Sequence, residues 1–205
     1  MEDESIFNPP DKRNLGKSVV DALLQKPEKP LGSLKKFPGA GVYAIYYRGG
    51  FAPYSVISSI NEPQGNIPIY VGKAVPTGSR KGTALDISLD STALWRRLQE
   101  HAESIKYAES LDVDDFTYRS LTVDDVWIPL GESFVIQKYR PLWNLVVEGF
   151  GNHTPGAARF SGKRPLRDEL HPGRPWAANC QPPRHSRDEI LRRVAAFMES
   201  ISPIL

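Results

Sequence analysis

The sequence predicts an α+β fold, a small antiparallel sheet of about three strands flanked by helices. Three observations predict it. A Gly41-Val42-Tyr43 triplet opens one short β-like run, and a Tyr70-Val71-Gly72 triplet closes another after a single intervening connection. A third such run spans Phe116 to Val123, and stretches of helical periodicity follow the second and third runs and close the chain.

The elements follow in order. Residues 1–38 are polar, carry five prolines and hold one helix-like stretch near Lys17 to Gln25, which predicts an N-terminal arm outside the core. In the first strand, residues 41–47, the two-residue period sets Tyr43, Ile45 and Tyr47 on one face and Val42, Ala44 and Tyr46 on the other. The second, residues 67–72, sets Tyr70 and Gly72 opposite Ile69 and Val71. If the two strands pair, two phenols share one sheet face, and each buried hydroxyl then needs a partner. Residues 48–66 between them contain Gly49-Gly50, Pro53, Pro63 and Gly65 and exceed a minimal hairpin loop, so they read as an insertion. A second insertion is expected near residues 75–90.

Ser91-Thr92 is a candidate N-cap for a helix reaching about Glu109, with Leu94, Leu98, Ile105 and Ala108 as its apolar stripe. His101 falls near the centre of that stripe and Arg97 at its edge, one turn apart. After the third strand a helix from about Gly131 carries Glu132, Val135, Ile136 and Tyr139 along one face, and Pro141 stops it. The core is thus expected over 39–147. Residues 148–205 form an extension ending in a helix from about Ser186 to Met198.

Composition narrows the class. The 205 residues are 40% hydrophobic, enough for a core. Net charge is +2, but residues 151–205 carry 9 Lys/Arg against 5 Asp/Glu, whereas residues 1–150 carry 17 against 19. The basic charge sits in the extension. The one cysteine, Cys180, excludes an intramolecular disulfide and a paired-thiolate zinc site. An acidic start, with no basic-then-apolar leader and no apolar run near 18 residues, predicts a cytoplasmic protein off the membrane.

The ordered set Tyr43, Tyr70, Arg97, His101, Glu132 and Asn144 lies in the segments GVY (41–43), YVGKA (70–74), WRRLQEH (95–101) and GESFVIQKYRPLWN (131–144). Singly, each residue has an ordinary structural explanation: a sheet-face tyrosine, a core histidine, a helix-face arginine, a first-turn glutamate, a turn asparagine. Their joint order resembles the GIY-YIG nuclease superfamily over residues 39–147.

Phosphodiester hydrolysis explains why these residue types belong together. It needs an activated water in line with phosphorus, charge on the non-bridging oxygens and help for the leaving oxygen. Glu132 is the candidate ligand for Mg²⁺, with Mn²⁺ able to substitute, because a lone carboxylate plus waters and phosphate is how Mg²⁺ is commonly held. Arg97 offers a fork for phosphate oxygens. Tyr43 is the candidate water activator, with His101 accepting or relaying the proton, since a phenol near pKa 10 needs such a neighbour. Tyr70 would orient water or phosphate, and Asn144 would fix the site or the phosphate from behind the residues that touch substrate. Lys73 and Arg96, with Arg159, Lys163, Arg164, Arg167 and Arg174 in the extension, are candidate DNA contacts. The remaining histidines, His153, His171 and His185, read as solvated loop residues.

Among GIY-YIG proteins, homing and repair enzymes join the catalytic module to separate DNA-binding domains, and structure-selective enzymes are smaller. Here the core itself carries the elaborations. That is most similar to the type II restriction endonucleases, in particular those cutting the palindrome CCGCGG. The resemblance implies double-stranded DNA as substrate, a homodimer matched to a palindrome and no nucleotide cofactor. The alternatives are another GIY-YIG DNA nuclease, of the homing, repair or structure-selective kind, and a non-catalytic DNA-binding module.

Overall fold

A seven-residue strand buried along its whole length organises the computed structural model, which describes residues 12–76, 91–152 and 162–201. This strand, β2 (Gly41–Tyr47), is flanked on both sides: β3 (Tyr70–Ala74) and β4 (Phe116–Thr122) each pair with it antiparallel. A two-residue strand, β1 (Lys29–Pro30), pairs with the far side of β4 and completes the order β1-β4-β2-β3. The sheet therefore has four strands, one more than the sequence predicts. A two-residue strand leaves no periodicity to read.

Seven helices lie among the described residues: α1 (Lys12–Leu24), α2 (Ser55–Ile60), α3 (Ala93–Lys106), α4 (Ile128–Tyr139), α5 (Leu142–Leu145), α6 (Leu166–Leu170) and α7 (Arg187–Ile201). The predicted apolar stripe of α3 holds, with Leu94, Leu98 and Ile105 fully buried. Its N-cap is Thr92, whose side chain makes no capping bond, and the preceding Ser91 hydroxyl accepts from the Ala93 amide at 3.1 Å. Helix α4 begins three residues before Gly131, with Pro129 in its first turn, where a missing N–H costs nothing. It ends on Arg140 in the left-handed region, one residue before the predicted stop at Pro141.

Packing corrects one sequence expectation and adds detail to another. The N-terminal segment is not an arm outside the core: Val20, Leu23 and Leu31 are buried in it. Their apolar spacing is short and diluted by prolines, so the segment reads as polar although a few side chains anchor it. Glu28 anchors it further, pairing with Arg48 and Arg119 and accepting from the Gly65 amide at 2.9 Å. The insertion between β2 and β3 is likewise folded back: Tyr54 and Ile57 are fully buried, and Asn61 ties its end to the carbonyls of Tyr47 and Ile67. Of the insertion expected at 75–90, residues 77–90 lie outside the described residues.

Candidate active site

The β2–β3 register sets Tyr43 opposite Gly72 and Ile45 opposite Tyr70, so the two phenols lie on one face, one pair apart. Their ring centroids are 6.3 Å apart. The long connection does not separate them. Gly72 makes the arrangement possible: a Cβ there would stand 2.6 Å from the Tyr43 carbon that bears the hydroxyl and 3.0 Å from the Tyr70 ring. Gly41 serves the other flank, where a Cβ would overlap the Leu121 carbonyl of β4. The two motif glycines are therefore close-approach positions, one for a side chain and one for backbone.

Behind the tyrosines stands α3. The Tyr43 hydroxyl is 2.6 Å from His101 Nε2, and both side chains are essentially sealed from solvent. Arg97, one turn earlier, hydrogen-bonds both phenols, donates through Nη2 to the Gly151 carbonyl at 2.7 Å and pairs with Glu100 at 3.0 Å. Burial pushes the Tyr43 phenol well above its usual range, the neighbouring Tyr70 adds to this, and Arg97 opposes it. Tyr70 is raised for the same first reason, with Arg97 again opposing. Both phenols are accordingly held protonated, and a standing phenolate is disfavoured.

Glu132 arrives from the other side of the sheet. Its neighbour Gly131 lets α4 pack closely on α1, since a Cβ there would meet Val19 at 2.9 Å, while Val42 of β2 would lie at ordinary contact distance, 3.4 Å. The Glu132 carboxylate then reaches the edge strand, where Lys73 Nζ sits 2.7 Å from Oε2. An open cleft of about 470 Å³ runs along this edge, with Tyr70, Lys73, Arg96, Arg97 and Glu132 on its walls. Tyr43 and His101 lie behind that wall.

Asn144 does not face the cleft. Its Oδ1 accepts from the Val71 amide at 2.9 Å and its Nδ2 donates to the Val71 carbonyl at 2.8 Å, so it completes the open edge of β3. Trp143 extends the same edge, its amide donating to Ile69 O at 2.9 Å.

The basic extension divides. Lys163 is exposed, and Arg164, paired with Glu169 at 3.0 Å, lines a second cleft of about 800 Å³ together with Arg184 and Arg193. Arg159 lies outside the described residues, as does His153. Arg167 and Arg174 overturn their expected role as DNA contacts. Both are buried, both pair with Asp168, and Arg174 also donates to the carbonyls of Gly149 and Asn152, each at 2.9 Å. Burial, followed by the charge of Arg174, lowers the Arg167 pKa to about 10. His171 is corrected too: it is fully buried between the Tyr54 and Ser110 hydroxyls, at 2.7 and 2.8 Å.

Sequence reasoning missed the 149–152 loop. Phe150 stacks on His101 with centroids 4.4 Å apart and planes 19° apart, and it meets the Tyr70 ring edge-on at 4.9 Å. A Cβ on Gly151 would stand 2.6 Å from the Tyr70 hydroxyl. No local pattern marks these residues; the faint signal is a Gly-Phe-Gly run just past the core boundary.

A small antiparallel sheet with the GVY and YVG triplets on paired strands, backed by an Arg/His helix and a Glu helix, defines a GIY-YIG nuclease. Residues 35–198 match the family described as the Eco29kI GIY-YIG domain, a type II restriction enzyme family. The chain belongs to that family. The match runs through the C-terminal extension as far as α7, so the extension is part of the family's domain. No curated protein matches the chain.

Proposed function

We propose that this nuclease is an Mg²⁺-dependent type II restriction endonuclease that cuts double-stranded DNA at a short GC-rich palindrome, with CCGCGG as the first sequence to test. In this reading it acts as a homodimer with one active site per strand. The observation that carries the reading is the convergence of Tyr70, Arg97 and Glu132 on one open cleft, with Tyr43 and His101 hydrogen-bonded behind it.

The residues fit a magnesium ion of the partly hydrated kind. Glu132 presents a carboxylate to an open cleft whose other carboxylate, Glu100, is paired with Arg97, and no cluster of three or more His, Cys, Asp or Glu is gathered among the described residues. Glu132 would hold the ion, which supplies Lewis-acid stabilisation of the leaving oxygen. Lys73 and Arg97, on the same walls, take the non-bridging phosphate oxygens.

Water activation runs through the phenols. Because Tyr43 is held protonated, it passes its own hydroxyl proton to His101 Nε2 as it takes one from the cleft side, directly or through the Tyr70 hydroxyl. No free phenolate has to persist. Arg96 beside the cleft and the Lys163, Arg164, Arg184, Arg193 cleft supply positive charge for the DNA backbone. Asn144 contributes by holding β3, and with it Tyr70 and Lys73, in place.

Plasmid DNA carrying and lacking CCGCGG, incubated with Mg²⁺, with Mn²⁺ and with chelator, tests this. Discrete fragments with metal and none with chelator are expected, and sequenced ends give site and stagger. Binding without cleavage in every metal would favour a non-catalytic DNA-binding module; cleavage at another sequence would leave the enzyme class and overturn the site.

A further inference from the structure

Arg167, Asp168 and Arg174 form a buried charged cluster in the extension, and its hydrogen bonds run to two places that matter for the cleft. Arg167 Nη2 donates to the Ser104 carbonyl of α3 at 2.7 Å, one turn past His101. Arg174 donates to the carbonyls of Gly149 and Asn152, and more weakly to that of Phe150 at 3.4 Å, while its Nε lies 2.5 Å from Asp168 Oδ1. One guanidinium thus spans the whole 149–152 loop. That loop delivers the Phe150 ring onto His101 and the Gly151 carbonyl onto Arg97 Nη2.

Three features make this more than core filling. A buried cation shared between a carboxylate and several carbonyls fixes a backbone segment in one geometry, because every displaced bond leaves a buried charge or carbonyl unpaired. The fork is specific to arginine: lysine would keep the charge but could not address Asp168 and the spread of carbonyls together. And the groups delivered touch Arg97 and His101 themselves, where misplacement of about an ångström costs on the order of a hundredfold in rate.

We infer that Phe150 and Gly151 are positioning residues for His101 and Arg97, and that the buried Arg174–Asp168–Arg167 cluster is the brace that sets them. The inference rests on the catalytic reading of Arg97 and His101. It assigns the extension a task inside the active site, in place of the DNA contacts expected of two of its arginines.

The test uses the full chain carrying Arg174→Lys, Phe150→Leu or Phe150→Tyr. Cleavage at saturating DNA, DNA affinity across a salt series, thermal stability and the His101 ring resonances are measured for each. Arg174→Lys and Phe150→Leu are expected to lower kcat about tenfold or more while Kd stays within about twofold. Phe150→Tyr restores kcat by restoring the ring. In the leucine variant the His101 ring protons move downfield as the aromatic stack is lost, a readout independent of cleavage. Wild-type kcat in folded Arg174→Lys and Phe150→Leu would overturn the brace. So would weaker DNA binding by Arg174→Lys at unchanged kcat, with the slope of log K against log salt reduced by about 0.9, which would return Arg174 to a phosphate. If Arg174→Lys does not fold, Phe150→Leu decides alone. A wild type inert in every metal refutes the proposed function and leaves the resonance shift to decide the positioning role.

Discussion

At Tyr43 burial and chemistry pull in opposite directions, and the 2.6 Å contact with His101 reconciles them. A sealed phenol is a poor base unless its proton has somewhere to go. Tyr43→Phe, which keeps the ring, is therefore expected to lower kcat by about 100-fold or more with DNA affinity little changed. Tyr70→Phe, assayed beside it, separates the two proton paths: a comparable loss places Tyr70 in the relay, and a small one leaves Tyr43 taking the proton directly. Gly72→Ala drives a methyl against both phenols and is expected to lose cleavage while DNA still binds, measured by gel shift. His171 makes a prediction about pH. Burial, then the charges of Arg167 and Arg187, push its pKa well below the ordinary 6.5. The unfolded chain therefore takes up a proton below pH 6.5 that the folded protein refuses. Stability is intact above that pH and falls as pH drops toward the folded value, by up to about 1.4 kcal/mol per unit. Urea midpoints from pH 7.5 to 5 should show this slope in the wild type and a slope smaller by one proton in His171→Asn.

At the scale of elements, β3 is the edge strand and carries Tyr70, Gly72 and Lys73, so its unpaired side decides whether the site holds its shape. Asn144 supplies both missing partners to Val71. Asn144→Ala should cost about 1–3 kcal/mol for two lost hydrogen bonds, read from denaturant midpoints, and Asn144→Asp, which retains the acceptor only, should cleave more slowly than wild type. The longer helices and central strands were legible in the sequence because their signals are local: the stripe of Leu94, Leu98 and Ile105, the alternation through Tyr43 to Tyr47, the proline after α4. Strand β1 and the short helices α2, α5 and α6 were not. The strand is two residues long and the helices four to six, and the burial around α2 depends on Tyr54 and Ile57 finding a distant surface.

For the whole molecule, the C-terminal extension is structural and closes over the site. Ile190, Val194 and Met198 of α7 are buried, so a chain ending at residue 186 should lose its cooperative unfolding transition, checked by calorimetry. A palindromic target matched by two protomers predicts two chains per duplex, measurable by sedimentation with catalysis blocked by chelator; one chain per duplex would end the dimer proposal. The sequence by itself determined the sheet-and-helix class and the family, and it offered Tyr43, Tyr70, Arg97, His101 and Glu132 as candidates in that order, because residue type and short-range spacing suffice for those. Only the tertiary structure decided which charges line an open cleft and which are buried in the interior. Arg164 and Arg174 look alike along the chain, yet one lines an open cleft and the other is sealed onto Asp168. Burial depends on contacts far apart in sequence, and no local pattern carries it.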